Sequence, residues 1–176
     1  LNKKIALAVA SSGIAATLLH RRRTGHNRFK IPVKEITPEM MINVPLKSKL
    51  AELLRKTSLI IWDEISMTNR HIIEWVDRSL RYIRDVNLPF GGIIVMLGGD
   101  YQQLLHVIKR GGTKHIISTS LPRSSLWGHL KQFSLTLNMR VENYKNSINK
   151  QKLKEFAAWQ QRIEQDIEET DEKGRI

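Results

Sequence analysis

The sequence contains no cysteine, which excludes disulfides and thiolate-bound metals. Its six histidines include no pair at i, i+4 spacing, so the common zinc arrangement is absent as well and any bound metal is expected on oxygen ligands. The longest apolar runs, Ile5–Ala10 and Ile93–Leu97, fall far short of the roughly 18 residues that a membrane-crossing helix needs, and no membrane association is expected. No basic, apolar, small-residue segment of the secretory type opens the chain, and a first residue of Leu1 rather than Met suggests that upstream sequence is missing. A stretch of the form G-x-x-x-x-G-K-[ST] occurs nowhere; Gly111-Gly112-Thr113-Lys114 has neither its spacing nor a strand before it. A glycine loop wrapping nucleotide phosphates is therefore not expected within these residues.

What the chain does have is length for one domain and an excess of positive charge. Its 176 residues match a single domain with its own core. The formal charge of +12 is uneven: residues 1–163 hold 27 bases against 11 acids, while Glu164–Ile176 holds six acids and two bases. A basic body of this size points to a polyanion, since neutralising phosphates releases condensed counterions; a merely solubilising charge is the alternative.

Four runs, Lys4–Ser11, Leu59–Trp62, Ile93–Leu97 and Phe133–Leu137, read as parallel strands, and the first three lack polar alternation, as strands buried on both faces do. Between them lie helical patterns: Ser48–Lys56 with Leu50, Leu53 and Leu54, and Asn69–Arg84 with Ile72, Ile73, Val76, Leu80 and Ile83. Strand and helix alternate, so the fold class is α/β with a parallel sheet flanked by helices. Thr68 or Asn69 can cap the second helix, and Pro89-Phe90-Gly91-Gly92 separates it from the next strand. Residues 20–47, with Pro32, Pro38 and Pro45 and no apolar period, are expected to cross the surface as a long connection. From Asn143 the chain turns polar, with a helix expected over Lys150–Ile167 and fraying beyond Glu168.

The sharpest chemical signal is Leu59-Ile60-Ile61-Trp62-Asp63-Glu64, an apolar strand that delivers two adjacent carboxylates at its C-terminal end, where open α/β sheets bind ligands. In a nucleotide motor the first acid orients magnesium through a coordinated water, and the second accepts a proton from the attacking water. Taken alone, the same hexapeptide also suits a helix-capping acid pair. A second strand, Ile93–Leu97, ends in Gly98-Gly99-Asp100-Tyr101-Gln102-Gln103, where a neutral amide can sense a phosphate. A third run, Leu135–Leu137, leads to Arg140, which could meet charge developing in a transition state. Either feature alone has an ordinary structural explanation.

Together these three strand ends, in this order, resemble the PIF1 helicase family. The resemblance extends to Ala8-Val9-Ala10-Ser11-Ser12-Gly13-Ile14-Ala15-Ala16, Arg23-Thr24, His26, Arg28-Phe29-Lys30-Ile31-Pro32 and Ser120-Leu121-Pro122-Arg123-Ser124-Ser125-Leu126-Trp127, and covers roughly residues 4–159. Trp62 before the acid pair is similar to the group found in eukaryotic genomes and Helitron-type mobile elements. The resemblance implies a P-loop NTPase fold, a RecA-like domain lacking its first strand and phosphate loop, in a superfamily 1 helicase that moves 5′ to 3′ on DNA. Residues 1–142 would be this partial motor domain and 143–176 a polar, partly helical tail. By the same resemblance Asp63 is the magnesium acid, Glu64 the catalytic base, Gln103 the γ-phosphate sensor and Arg140 the arginine that contacts that phosphate. Ser12, Gly13, His26 and Arg28 would line the DNA path. It further implies ATP as substrate of an intact parent with Mg2+ as its ion, a monomer on single-stranded or forked DNA, a nuclear or mitochondrial home, and work in repair, recombination or telomere maintenance.

Independently of any resemblance, His20–Lys34 carries Arg21, Arg22, Arg23, Arg28, Lys30 and Lys34 with no acid among them, which suits a phosphate backbone. Phe29 within it could stack on a base or serve as a packing anchor. The sequence also departs from the family. Arg21 and Arg22 stand where glycines are usual, Tyr101 and Gln102 replace a phenylalanine and an arginine, and His106 replaces a proline. Residues Gln160-Gln161-Arg162-Ile163-Glu164 do not continue into the family's leucine-rich stretch. Three functions therefore stand open: a piece of an active helicase, a nucleic-acid-binding relic without catalysis, and a small NTPase unrelated to DNA.

Overall fold

The structure, a computed structural model, describes residues 4–20, 23–33, 36–37, 40, 42, 44–101, 103, 106–108, 111–144 and 147–164. They fall into two compact units, Leu1–Leu130 and Lys131–Ile176. The first holds β1 (Ile5–Ala10), α1 (Gly13–Thr17), α2 (Gly25–Phe29), α3 (Lys49–Lys56), β2 (Thr57–Asp63), α4 (Arg70–Arg84), β3 (Ile94–Leu97) and α5 (Thr113–Ser118). The second holds α6 (Met139–Glu142) and α7 (Ser147–Glu164).

The three strands form one parallel sheet in the order β1-β2-β3, which confirms the α/β class. Ala10 pairs with Asp63 and Trp62 with Leu97, so all three C-terminal ends lie along one edge. Val9, Ile60 and Trp62 are buried there with Ile73, Trp75, Val76, Leu80 and Ile83 of α4 and Ala51 and Leu54 of α3. Both helices start on side-chain caps, of which Asn69 was one of the two candidates in the sequence: Ser48 Oγ accepts the Ala51 N–H at 3.2 Å, and Asn69 Oδ1 accepts the His71 N–H at 2.9 Å.

Arg84 ties the two helices together, because its guanidinium donates to the carbonyls of Leu54, Arg55 and Thr57 and so satisfies groups that the end of α3 leaves open. It also donates to the Gly91 carbonyl at 2.7 Å, in the turn that leads into β3. In that turn Phe90 and Gly91 both have left-handed backbones, with φ of 53° and 60°. A Cβ on Gly91 would lie 2.7 Å from the Leu80 carbonyl oxygen, so the turn can approach α4 only with glycine there. The buried carboxylate of Asp77 fixes it from the other side, accepting the Phe90 N–H and the Arg81 Nε–H.

The structure corrects three expectations. Residues 20–47 do not simply cross the surface: α2 forms within them, and Phe29, Ile31, Ile36, Ile42 and Val44 are buried in the core. These residues follow no period because each anchors an irregular chain separately, so a periodicity argument could not find them. Phe133–Leu137 is not a strand and does not belong to the compact unit that contains the sheet; Phe133, Leu135 and Leu137 are exposed. Among the described residues no strand pairs with it, and an apolar run without a pairing partner has no ladder to join. β3, expected to be buried on both faces, is an edge strand, and Ile94 and Met96 remain 72% and 59% exposed.

In the second unit Asn138 Oδ1 caps α6, accepting N–H bonds from Arg140 and Val141. Glu142 binds the ammonium groups of Lys150 and Lys154, both at 2.8 Å, and these hold its carboxyl at about 2. The helix expected over Lys150–Ile167 is present as α7 up to Glu164, and residues 165–167, like the expected fraying beyond Glu168, lie outside the described residues. No helix among the described residues is long and apolar enough to cross a membrane.

Replacing Asp77 by Ala strands the buried Phe90 N–H and frees Arg81, so it should destabilise the first unit by about 2 to 3 kcal/mol, the cost of unpaired buried groups discounted for the partly exposed arginine. Urea unfolding checks this; a loss below about 0.5 kcal/mol would show that the turn does not depend on this carboxylate.

Candidate functional site

The register of the sheet creates the site. Asp63 ends β2 opposite Ala10, and Glu64 follows with φ 54° and ψ 44°. That left-handed conformation costs a non-glycine residue about 1 to 2 kcal/mol and persists only where surrounding contacts impose it. Here they do. Asp63 Oδ1 accepts the Glu64 N–H at 3.0 Å, the Ile65 N–H donates to the Gly98 carbonyl at 2.8 Å, and the Gly98 N–H donates to the Trp62 carbonyl at 2.9 Å. The following turn, Ile65–Met67, closes through the Thr68 N–H on the Ile65 carbonyl at 2.9 Å. A Cβ on Gly99 would stand 2.9 Å from Ser66 N and 3.1 Å from Ile65 N, so glycine is what lets the end of β3 press against the turn after the acids. Both carboxylates are half-buried.

β1 brings its own exit to the same edge. The Ser11 N–H donates to the Asp63 carbonyl at 3.1 Å, and Ser12 Oγ caps α1 by accepting the Ala15 N–H. Gly13, the first residue of α1, is exposed, with nothing within 4 Å of where a Cβ would stand. Next to β1 the chain forms a single bridge, Ala10 to Thr24, and the Thr24 hydroxyl accepts the Asn27 N–H to start α2. Arg23 is exposed and donates to Asn27 Oδ1, while His26 and Arg28 are half-buried on α2. Burial pushes the His26 imidazole below its ordinary value, so near neutral pH it offers a hydrogen bond rather than a charge. Arg21 and Arg22 lie outside the described residues. Phe29 is buried and stacks on Trp62 with ring centroids 5.4 Å apart, so it is the packing anchor and not an exposed stacking platform.

Gln103, exposed on the loop leaving β3, donates its amide to the Asp100 carboxylate at 3.0 Å. Arg140 lies in the second unit, within α6. The first unit thus collects Ser12, Gly13, Asp63 and Glu64 at one sheet edge, with α2 beside β1. Sequence reasoning did not single out Ser11 or Thr68 as partners. Ser11 stood out only by its place directly after an apolar strand, and Thr68 only as a possible cap of α4, a role that Asn69 takes.

Among the described residues no three metal-ligating side chains form a cluster. Two adjacent half-buried carboxylates supply only oxygen donors, which fits the protein's share of a magnesium site, since that ion keeps several waters and takes substrate phosphates as further ligands. The backbone cradle for those phosphates has no counterpart in this sequence.

Against known proteins, the family model described as PIF1-like helicase matches residues 1–173. The ATP-dependent DNA helicase Pif1 of Psychrobacter sp. (strain PRwf-1) is 39% identical over 103 residues, 58% of this chain and 16% of that protein. The ATP-dependent DNA helicase RRM3 of Saccharomyces cerevisiae is 28% identical over 140 residues, 79% of this chain and 19% of that protein. The crystal structure of the Bacteroides Pif1 helicase with ADP-AlF3 and single-stranded DNA superposes with a TM-score of 0.61 at 28% identity, covering 84% of this chain and 38% of that one. A structure of two coordinating Pif1 helicases at forked double-stranded DNA gives 0.60 at 28% identity, covering 85% of this chain and 40% of that one. The chain spans less than a fifth of the length of either curated relative. The parallel sheet and its flanking helices match the RecA-like domain of these helicases.

The strain at Glu64 has a measurable signature. Glu64→Gly should be more stable than Glu64→Ala by about 1 kcal/mol, reversing the usual order, because glycine enters the left-handed region without a Cβ penalty. Thermal melts of the two variants decide; an alanine variant equal to or more stable than the glycine variant would mean that the backbone there is not left-handed.

Proposed function

The chain belongs to the PIF1-like helicase family, and from that premise we propose that it is the middle part of the first motor domain of an ATP-dependent DNA helicase that moves 5′ to 3′ on a single strand. The observation that carries this reading is the fixed acid pair at the sheet edge, clamped to Gly98 on one side and bonded to the exit of β1 on the other. Asp63 would help to hold a magnesium ion, which would supply neutralisation of phosphate charge. Glu64 accepts the proton of the attacking water. Gln103 reports the terminal phosphate, and Arg140 meets the charge that develops on it. Ser12, Gly13, Arg21, Arg22, Arg23, His26 and Arg28 follow the DNA backbone, Ser12 and Gly13 by small size and backbone contact, the arginines by charge.

Single-stranded or forked DNA is the proposed partner of the parent, acting as a monomer in the nucleus or mitochondrion, in repair, recombination or telomere maintenance. For the 176 residues by themselves a second reading is favoured by one observation, the lack of any G-x-x-x-x-G-K-[ST] stretch. Without that loop Glu64 is a base with no positioned substrate, and the chain binds nucleic acid without catalysis.

The two readings separate in one assay. A full-length parent carrying this segment and a phosphate loop should release phosphate in a DNA-stimulated manner, and Glu64→Gln should slow it by about 10² to 10⁴ while leaving nucleotide binding intact. The 176-residue chain should release none, yet bind single-stranded DNA with log K falling against log salt by about 0.7 per phosphate contact. Near-normal turnover of Glu64→Gln refutes the assignment of the base, and a flat salt response refutes the basic DNA path.

A further inference from the structure

We infer that Ser11 and Trp62 are positioning residues that link the DNA-facing helix α2 to the acid pair, so that DNA held on α2 sets the geometry of Asp63 and Glu64. This rests on the functional reading above and adds residues to which that reading gives no role.

Trp62 looks at first like ordinary core, since it is 2% exposed in the middle strand. A buried indole N–H needs an acceptor, however, and any carbonyl would serve. Instead it donates to Ser11 Oγ at 3.0 Å. Ser11 stands at the exit of β1, immediately before Ser12 and Gly13. Its hydroxyl lies 2.6 Å from Thr68 Oγ1 and 3.3 Å from the Asp63 carbonyl, and its N–H reaches that same carbonyl. One oxygen thus meets three places at once: the indole, the peptide that carries the first acid, and the far end of the turn that follows the second.

The proton count leaves this oxygen with a choice. It accepts from Trp62, which uses one lone pair, and has a single proton to give. If Ser11 donates to Thr68, the Asp63 carbonyl keeps only its backbone bond; if Thr68 donates to Ser11, the Ser11 proton turns to Asp63. The hydroxyl pair therefore has two arrangements that differ in how firmly the acid-bearing peptide is held.

The other side of the indole faces α2. Phe29 stacks on it with ring planes 20° apart, and a Cβ on Gly25 would lie only 2.4 Å from Trp62 Cζ2. The helix therefore rests directly on the ring, at a distance only glycine permits. The same five-residue helix carries His26 and Arg28, and Arg23 precedes it. A phosphate drawn to these side chains pulls on a helix that cannot shift without shifting the indole, and the indole N–H holds the oxygen that grips Asp63. Packing volume alone would not require the N–H or the hydroxyl, which is what allows a test.

The test uses a full-length helicase containing residues 1–176, with steady-state phosphate release measured with and without single-stranded DNA, and DNA affinity measured separately. Ser11→Ala keeps the backbone bond to Asp63 and removes only the hydroxyl. It should leave DNA affinity within about threefold, while the ratio of DNA-stimulated to DNA-free kcat falls about tenfold or more. Thr68→Val, nearly isosteric, should reproduce that pattern and stands in if Ser11→Ala folds poorly. Ser11→Thr, which keeps the hydroxyl, should restore the stimulation. Adding Trp62→Phe to Ser11→Ala should cost little more than Trp62→Phe alone, because both cut the same link. Stimulation retained in both Ser11→Ala and Thr68→Val would overturn the proposal, as would equal loss of DNA-free and DNA-stimulated turnover, which marks plain structural damage. A parent with no DNA-stimulated release at all would overturn the functional reading itself, and the link with it.

Discussion

Two hydrogen bonds, from the Ile65 N–H to the Gly98 carbonyl and from the Gly98 N–H to the Trp62 carbonyl, join the ends of β2 and β3, and the rest of the site depends on them. They reach past the last strand pair, Trp62 with Leu97, and so carry the ladder beyond the sheet into the turn. Each contributes on the order of 0.5 to 1.5 kcal/mol net, and together they are of the size needed to offset the strain of one left-handed glutamate. Gly99 allows the approach, since any side chain there would meet the backbone of Ser66. The acid pair is therefore displayed on a turn that is closed from both neighbouring strands rather than on a free loop.

What the sequence made legible was whatever depends on local pattern. The runs around Ile5–Ala10, Leu59–Trp62 and Ile93–Leu97 became β1, β2 and β3 because four or more consecutive apolar residues bounded by turn residues have few other ways to be buried. Asn69 was readable as a cap because a side-chain oxygen beside an amphipathic run has one obvious use. Phe133–Leu137, where Ser134 and Thr136 alternate with the apolar residues, failed, because a strand also needs a neighbour, and pairing partners are not written in the strand itself. Ile31, Ile36, Ile42 and Val44 failed in the opposite sense: they are buried without any regular structure to announce them.

The site divides in the same way. Asp63, Glu64 and the glycines after β3 could be placed at one edge, because parallel strands send all their C-terminal ends the same way. The basic stretch could be read as charge, though not that α2 would carry two of its residues on a helix seated against Trp62, nor that His26 would be held neutral by burial. Ser11 and Thr68 are 57 residues apart, and nothing local in either predicts a hydroxyl pair at 2.6 Å. Contacts of that separation are properties of the register, visible only once β1 and β2 are aligned.

If the acid-pair turn and α2 move as one mechanical unit, amide hydrogen exchange of the 176-residue chain should show it. The amides of Ser11, Ile65 and Gly98 all donate within the clamp, and the Arg28 amide donates to Thr24 within α2. Without DNA the first three should exchange slowly and at similar rates, as members of one cooperative unit. On adding single-stranded DNA, protection should rise at Arg28 and also at Ser11 and Ile65. Protection confined to Arg28, with Ser11 and Ile65 unchanged, would contradict the account.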